Sequence, residues 1–217
     1  MRIAILGGSF NPIHLGHALL ADTVKIDLGY DKIIFVPAGN PPHKKLNGSV
    51  SSEERFNMVK NFCDSTDCFC AEPFEIQKSG LSYTYDTVKF ILEKYSSSLD
   101  GKPGLIMGEE VACEFHKWHK ASQIASLTDL IIARRHPDNN GINVAEFKNQ
   151  NIGGYEGGFS SFDFEKDFAF PFIMLENPLL PVSSTEIRAR ISQGKSFRYL
   201  VPPEVYLYIK QKGLYQK

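Results

Sequence analysis

Near its start the chain reads Gly7-Gly8-Ser9-Phe10-Asn11-Pro12-Ile13-His14-Leu15-Gly16-His17, directly after the apolar run Ile3-Ala4-Ile5-Leu6. A short apolar run that ends at glycine is typical of a buried strand. Beyond it, apolar residues at positions 15, 19, 20 and 24 have the spacing of one face of a helix. The stretch therefore predicts a strand, a tight glycine turn and the start of a helix.

This turn has the features of an anion site. Glycines at 7 and 8 let the backbone turn and approach a ligand without a Cβ in the way, and the helix N-terminus adds partial positive charge. His14 and His17 are three residues apart, so on a helix they can offer ring N–H donors to one phosphate group. A bare Gly-Gly is usually only a turn, and a lone histidine is usually a surface or core residue. Residue order and strand-turn-helix context together favour phosphate binding.

Composition limits the class of protein. The chain has 217 residues, 42% of them hydrophobic, and a formal net charge of -1, which predicts one α/β domain over residues 1–217. Because 24 basic residues face 25 acidic ones, no general field attracts nucleic acid or an anionic membrane, so neither is expected as a partner. Phosphate recognition must then be local.

The sequence shows neither a targeting pattern nor a cysteine pattern typical of a metal site or disulfide framework. The start of the chain lacks a charged leader with a long apolar stretch, and no window is apolar enough to span a bilayer, so we predict a cytoplasmic protein. The four cysteines form no Cys-x-x-Cys pair and match no histidine spacing, which predicts reduced thiols.

Apolar runs and amphipathic stretches alternate along the rest of the chain. We predict strands at 32–37, 104–107, 129–134 and 172–176, with helices after Ser51, at 86–94 and across the C-terminal region 184–217. Such alternation predicts a doubly wound parallel sheet of Rossmann-like type, with the ligand crevice at the carboxyl ends of its strands. Residues 137–171 break the pattern and are expected to form an irregular insertion. We favour a surface loop over a mobile lid as the interpretation of this insertion.

A second string, Val182-Ser183-Ser184-Thr185-Glu186-Ile187-Arg188, opens the helix that follows the last predicted strand. Ser183 and Glu186 fit a capping box, and a well-capped helix alone would explain them. It would not call for Arg188 one turn into the helix. Hydroxyls and free N–H groups under a guanidinium form a clamp for the outer phosphates of a nucleotide.

The two strings resemble the His/Thr-x-Gly-His and Ser-Ser-Thr-x-x-Arg signatures of the nucleotidylyltransferases. The residues around them resemble the nicotinate-mononucleotide adenylyltransferase family in particular. The likeness covers nearly the whole chain outside the insertion, through Pro41-Pro42-His43-Lys44, Arg55-x-x-Met58, Ser82-Tyr83-Thr84-Tyr85-Asp86-Thr87, Trp118 and the closing segment 201–209.

The resemblance implies transfer of the adenylyl group of ATP to nicotinate mononucleotide, with pyrophosphate leaving. It implies catalytic roles for His14, His17 and Arg188. It assigns ATP to these three together with Gly7, Gly8, Ser9, Phe10, Gly108, Glu110, Ser183, Ser184 and Thr185. It assigns the second substrate to Asn11, Lys44, Ser82, Tyr83, Thr84, Trp118 and Arg135. Mg²⁺ is expected through the ATP phosphates rather than at a carboxylate cluster of the protein.

Several alternatives stay open. Glu110 stands where the family has aspartate, and Glu109 and Glu110 could serve only as favourable charges in the first turn of a helix. Trp118 could pack in the core instead of stacking on the pyridine ring. Another small-molecule adenylyltransferase, such as pantetheine-phosphate adenylyltransferase, or a silent nucleotide-binding module shares part of the pattern. An assembly of identical chains is compatible with the sequence.

Overall fold

The computed structural model describes residues 1–40, 50–134 and 162–216. Its sheet has six parallel strands in the order β3-β2-β1-β4-β5-β6, which confirms the predicted doubly wound parallel fold. The strands are β1 Ile3–Gly8, β2 Lys32–Pro37, β3 Phe69–Ala71, β4 Gly104–Gly108, β5 Asp129–Ala133 and β6 Phe172–Leu175. The sequence did not predict β3, which is only three residues long.

Helices cover both faces of the sheet. They are α1 Leu15–Asp27, α2 Ser52–Cys63, α3 Phe74–Gln77, α4 Thr84–Lys94, α5 Glu109–Ala112, α6 Ala121–Leu127, α7 Phe164–Asp167, α8 Ser184–Ser192 and α9 Pro203–Lys212. A 3-10 turn at Phe115–Lys117 precedes α6. The predicted helices near Ser51, at 86–94 and in the C-terminal region are all present as α2, α4, α8 and α9.

The expectation of irregular structure at 137–171 is wrong for its last part. Asp163 caps the single-turn helix α7 by accepting from the N–H of Glu165. Phenylalanines within and after α7 pack on one another and on Phe115. Aromatic packing, rather than helical periodicity, orders this stretch, so a search for apolar periods misses it. Residues 137–161 lie outside the described residues.

The strands are buried on both faces, because alternate side chains pack into two hydrophobic cores, one on each face of the sheet. Ala4, Leu6 and Phe35 pack with the helices α1, α2, α8 and α9, whereas Ile3 and Ile5 pack with α4 and α6. This division explains why the strands read as unbroken apolar runs.

The strand order reverses at β1, which pairs with β2 on one side and with β4 on the other. Leu6 lies opposite Phe35 on one side and Ile106 on the other. Two residues further on, β1 ends at Gly8 and β4 ends at Gly108. In open α/β sheets the ligand crevice opens at this switch point, beyond the carboxyl ends of the strands.

Candidate active site

The turn after β1 is made by a phenylalanine rather than by the glycines. Gly7 and Gly8 belong to β1, and the left-handed residue is Phe10, with φ of 45°. The Phe10 ring is buried and lies edge-on to His17, with centroids 5.0 Å apart. A Cβ at Gly8 would come within 3.0 Å of this ring. Gly8 therefore accommodates Phe10, and any ATP contact of Phe10 would go through its main chain.

His14 and His17 lie together at the start of α1, as predicted. His14 is the N-cap residue and is almost fully buried, and its ring centroid is 3.8 Å from that of His17. The N–H of His14 donates to Nδ1 of His17 over 3.2 Å. Since Nδ1 accepts, the neutral His17 ring carries its proton on Nε2. A Cβ at Gly16 would lie 3.1 Å from the His14 ring, so glycine keeps this contact open.

One amide at this helix start is not turned toward an anion. The N–H of Leu15 donates to the carbonyl of Leu200 over 3.1 Å. The C-terminal region thus closes part of the N-terminus of α1.

The second phosphate string is joined directly to the first. Ser184 Oγ donates to the carbonyl of Pro12 over 2.8 Å, and Arg188 Nη1 donates to the carbonyl of Asn11 over 2.7 Å. Ser183 caps α8 by accepting from the N–H of Glu186, as the capping box predicts. Arg188 Nη2 also contacts Thr185 Oγ1. The structure therefore brings together the two strings that the sequence singled out.

Arg55 supports the same loop, although sequence reasoning gave it no role there. It is 2% exposed on α2, and it donates to the carbonyl of Ser9 over 2.8 Å and to that of Ala38 over 2.7 Å. It thereby ties the segment after β1 to the segment after β2. Burial lowers the pKa of its guanidinium. The available signal was its position: residues 55, 58, 59 and 62 form the buried face of α2, so a charge at 55 needs buried partners.

Ser82 is enclosed by main-chain partners. Its side chain is 5% exposed, donates to the carbonyl of Glu75 and accepts from the N–H of Asn40, both over 3.3 Å. The Ser82 N–H returns to the carbonyl of Asn40. Ser82 therefore anchors the segment that ends at Asn40. Residues 41–49 lie outside the described part.

Glu75 organises this corner, and sequence reasoning missed it. Its carboxylate accepts from Thr87 Oγ1 over 2.7 Å and from the N–H of Gly39 over 3.4 Å. Burial raises the pKa of Glu75, against the opposing effect of these hydrogen bonds. The start of α4, where Tyr83 and Thr84 lie, is thus fixed to the end of β2.

Trp118 lies between the core and this corner. It is partly buried, and its ring is 5.3 Å from Phe115. Its neighbour His119 contacts the ring of Tyr83 at 4.5 Å between centroids. Trp118 thus lies next in sequence to a residue that contacts Tyr83, the other aromatic residue predicted for the second substrate. Trp118 therefore packs against the core and is at the same time partly exposed.

Glu110 lies where the sequence placed it, just beyond the carboxyl end of β4. Gly108 is the N-cap residue of α5, and Glu109 and Glu110 form the first turn of that helix. Both glutamates are half-buried. The predicted contacts Lys44 and Arg135 lie outside the described residues.

Other expectations concern metal, thiols and membrane. Across residues 1–40, 50–134 and 162–216, no group of three or more His, Cys, Asp or Glu side chains could hold a metal ion. All four cysteines are free thiols. In that same part of the chain, no helix is both long and apolar enough to cross a membrane.

Comparisons with known proteins agree with this geometry. The cytidylyltransferase-like family matches residues 5–190. The probable nicotinate-nucleotide adenylyltransferase of Treponema pallidum (strain Nichols) is 38% identical over 216 residues and that of Caldicellulosiruptor bescii is 36% identical over 220, each with complete coverage of both chains. A Plasmodium falciparum nicotinic acid mononucleotide adenylyltransferase, solved in complex with NaAD, has the same fold, with a TM-score of 0.67 at 19% identity over 99% of this chain and 97% of that one. The chain belongs to the cytidylyltransferase-like family and, within it, to the nicotinate-nucleotide adenylyltransferases.

Proposed function

We propose that this chain transfers the adenylyl group of ATP to nicotinate mononucleotide, giving nicotinate adenine dinucleotide and pyrophosphate. One observation supports this most directly. The two phosphate strings, far apart in sequence, meet through Arg188, Ser184 and the loop carbonyls of Asn11 and Pro12. They do so beside the switch point of the sheet, where nucleotides bind in such folds.

The reaction is an in-line displacement. A phosphate oxygen of the mononucleotide attacks the α-phosphorus of ATP, a new P–O bond forms, and the bond to the bridging oxygen breaks as pyrophosphate departs with the electron pair. Catalysis of this kind depends on positioning and on neutralising charge on the phosphate oxygens.

The residues at the start of α1 suit the reacting phosphate. The hydrogen bond from the N–H of His14 to Nδ1 of His17 places the ring proton on Nε2, and we assign this N–H to an α-phosphate oxygen. His14, packed against that ring, restricts its orientation. A fixed donor of this kind stabilises charge that builds up in the transition state without needing to reorganise.

The residues of α8 suit the leaving group. Arg188 has five N–H donors, and its contacts with Asn11 and Thr185 hold it over the start of α8. Its remaining donors and the Thr185 hydroxyl would bind pyrophosphate. Mg²⁺ bound to ATP would neutralise part of the charge on the outer phosphates. Among the described residues, no group of three or more His, Cys, Asp or Glu side chains could hold a metal ion, which fits a metal held by phosphates and water.

The two remaining groups are assigned by position. Glu110, at the end of β4, would accept from hydroxyls of the ATP ribose. Trp118 and Tyr83 would face the pyridine ring of the mononucleotide.

A pyrophosphate-release assay tests the proposal. ATP and Mg²⁺ are combined separately with nicotinate mononucleotide, its amide, or phosphopantetheine. We expect pyrophosphate to require both substrates and metal, with nicotinate mononucleotide or its amide as acceptor. Faster turnover of phosphopantetheine, or no turnover with any acceptor, would show that the assignment is wrong.

A further inference from the structure

The end of the chain reaches the first phosphate loop through a buried hydrogen bond. The hydroxyl of Tyr215 lies 2.7 Å from Oδ1 of Asn11, and each of the two residues is 8% exposed. Tyr215 has φ of 64°, in the left-handed region, shortly after Gly213 ends α9 with φ of 61°. A non-glycine residue holds such a conformation only where its surroundings fix it. The chain therefore turns inward at its end to insert this ring.

The chemistry of the two atoms sets the direction of this hydrogen bond. An amide oxygen can only accept, so the hydroxyl of Tyr215 donates to Oδ1 of Asn11. The charges of Arg188 and Arg55 act on the phenol oxygen, and the charge of Glu54 opposes them. The amide oxygen of Asn11 accordingly faces Tyr215, and its Nδ2 with two N–H groups faces away.

Asn11 is then held from two sides by the C-terminal part of the chain. Its carbonyl accepts from Arg188, and its side-chain oxygen accepts from Tyr215. The residue lies in the loop between Gly8 and His14, which is the loop that the proposed reaction uses.

We propose that Tyr215 is a positioning residue, which fixes the amide of Asn11 so that its Nδ2 donors are presented to a phosphate oxygen of the bound nucleotide. That nucleotide is ATP, whose identity rests on the proposed function, whereas the family resemblance gave Asn11 to the second substrate.

Tyr215→Phe keeps the ring and removes only the hydroxyl. We expect kcat/KM and ATP affinity, measured by calorimetry, each to fall about threefold to tenfold, the value of one hydrogen bond. Tyr208→Phe is the matched control, because its hydroxyl binds Glu54 and does not touch the loop. This control should stay within about twofold of the parent.

A double-mutant cycle separates positioning from general stability. In an Asn11→Ala background, Tyr215→Phe should change ATP affinity and kcat/KM by less than about twofold. Parent-like values in Tyr215→Phe, or an effect of equal size without the Asn11 side chain, would overturn the inference.

The two proposals can fail separately. If the parent releases no pyrophosphate with any acceptor, the proposed function fails, and the cycle on ATP affinity still decides the role of Tyr215. If Tyr215→Phe does not fold, Asn11→Ala alone decides whether the amide is a donor. Unchanged ATP affinity in that variant would overturn the inference.

Discussion

The guanidinium of Arg188 donates a hydrogen bond to the main-chain carbonyl of Asn11 across 2.7 Å, although 177 positions separate the two residues. The same side chain is the proposed ligand of pyrophosphate. Arg188 therefore has two tasks: it fixes the first phosphate loop and it offers donors to the nucleotide. Any substitution there should affect both the loop and the chemistry.

Arg188→Lys keeps the charge but loses the planar fork that reaches two partners at once. We expect kcat to fall by about tenfold or more, because a donor to the leaving group and the restraint on Asn11 are lost together. Steady-state kinetics check this. Arg190→Lys is the control, because Arg190 lies on the same helix and contacts Ser196 and Glu186 instead of the loop. Equal effects of the two substitutions would remove Arg188 from the site.

His17→Ala should lower kcat by about a hundredfold, with a modest change in the KM for ATP, because its donor acts on developing charge. His17→Gln should retain more activity than His17→Ala, since its amide offers an N–H at about the place of Nε2. Kinetics on both variants, with thermal unfolding as the check on folding, test this. A normally folded His17→Ala with parental kcat would reduce the pair His14 and His17 to a structural turn.

Arg55→Lys should destabilise the fold and slow the reaction. One ammonium cannot reproduce the paired bonds to Ser9 and Ala38, so a buried carbonyl is left without its partner. The free energy of unfolding should fall by about 1–3 kcal/mol, measured by denaturant titration. Lys60→Arg, at an exposed position of the same helix, should change it by less than about 0.5 kcal/mol. If Arg55→Lys behaved like that control, Arg55 would not hold the two segments together.

The main architecture could be predicted because alternating apolar runs and helical spacings report burial directly. Strand β3 was missed because three residues carry no period, and α7 because phenylalanine packing orders it. Within the site, the two phosphate strings were visible as motifs. Their joining was not, because Arg188 and Ser184 bind main-chain carbonyls, which every residue type possesses. Nothing in the sequence marked Glu75 or Tyr215 either, because their partners Thr87 and Asn11 form no motif with them.

Glu75 predicts a pH-dependent stability. Burial raises its pKa in the folded chain, so the folded state holds the proton more firmly than the unfolded state. Its contribution to stability is fully present below the ordinary pKa of a glutamate and is lost as pH rises through the raised value. Glu75→Gln does not titrate. The free energy of unfolding of this variant, relative to the parent, should therefore increase as pH rises from about 4 to about 8.

Denaturant titrations at several pH values check this, with Glu93→Gln on the exposed side of α4 as the control for loss of one charge. A difference between Glu75→Gln and the parent that stays constant with pH would contradict the role given to burial.

Trp118 links the phenylalanine cluster around α7 to the proposed pyridine site. Its ring contacts Phe115, which in turn contacts Phe170 at 5.2 Å between centroids. As the only tryptophan of the chain, it reports on its own surroundings by fluorescence. We expect nicotinate mononucleotide to change this fluorescence, and ATP to have little effect.

Variants of Trp118 distinguish stacking on the pyridine ring from packing in the core. Trp118→Phe should keep most activity, whereas Trp118→Ala should weaken nicotinate mononucleotide binding by about 0.5–1.5 kcal/mol with ATP affinity unchanged. Phe170→Ala should shift the fluorescence of the free protein and raise the KM for the mononucleotide, because Phe115, which contacts Trp118, loses the ring that packs on it. A silent fluorescence titration, together with a Trp118→Ala variant that unfolds, would place Trp118 in the core and leave the pyridine ring to Tyr83.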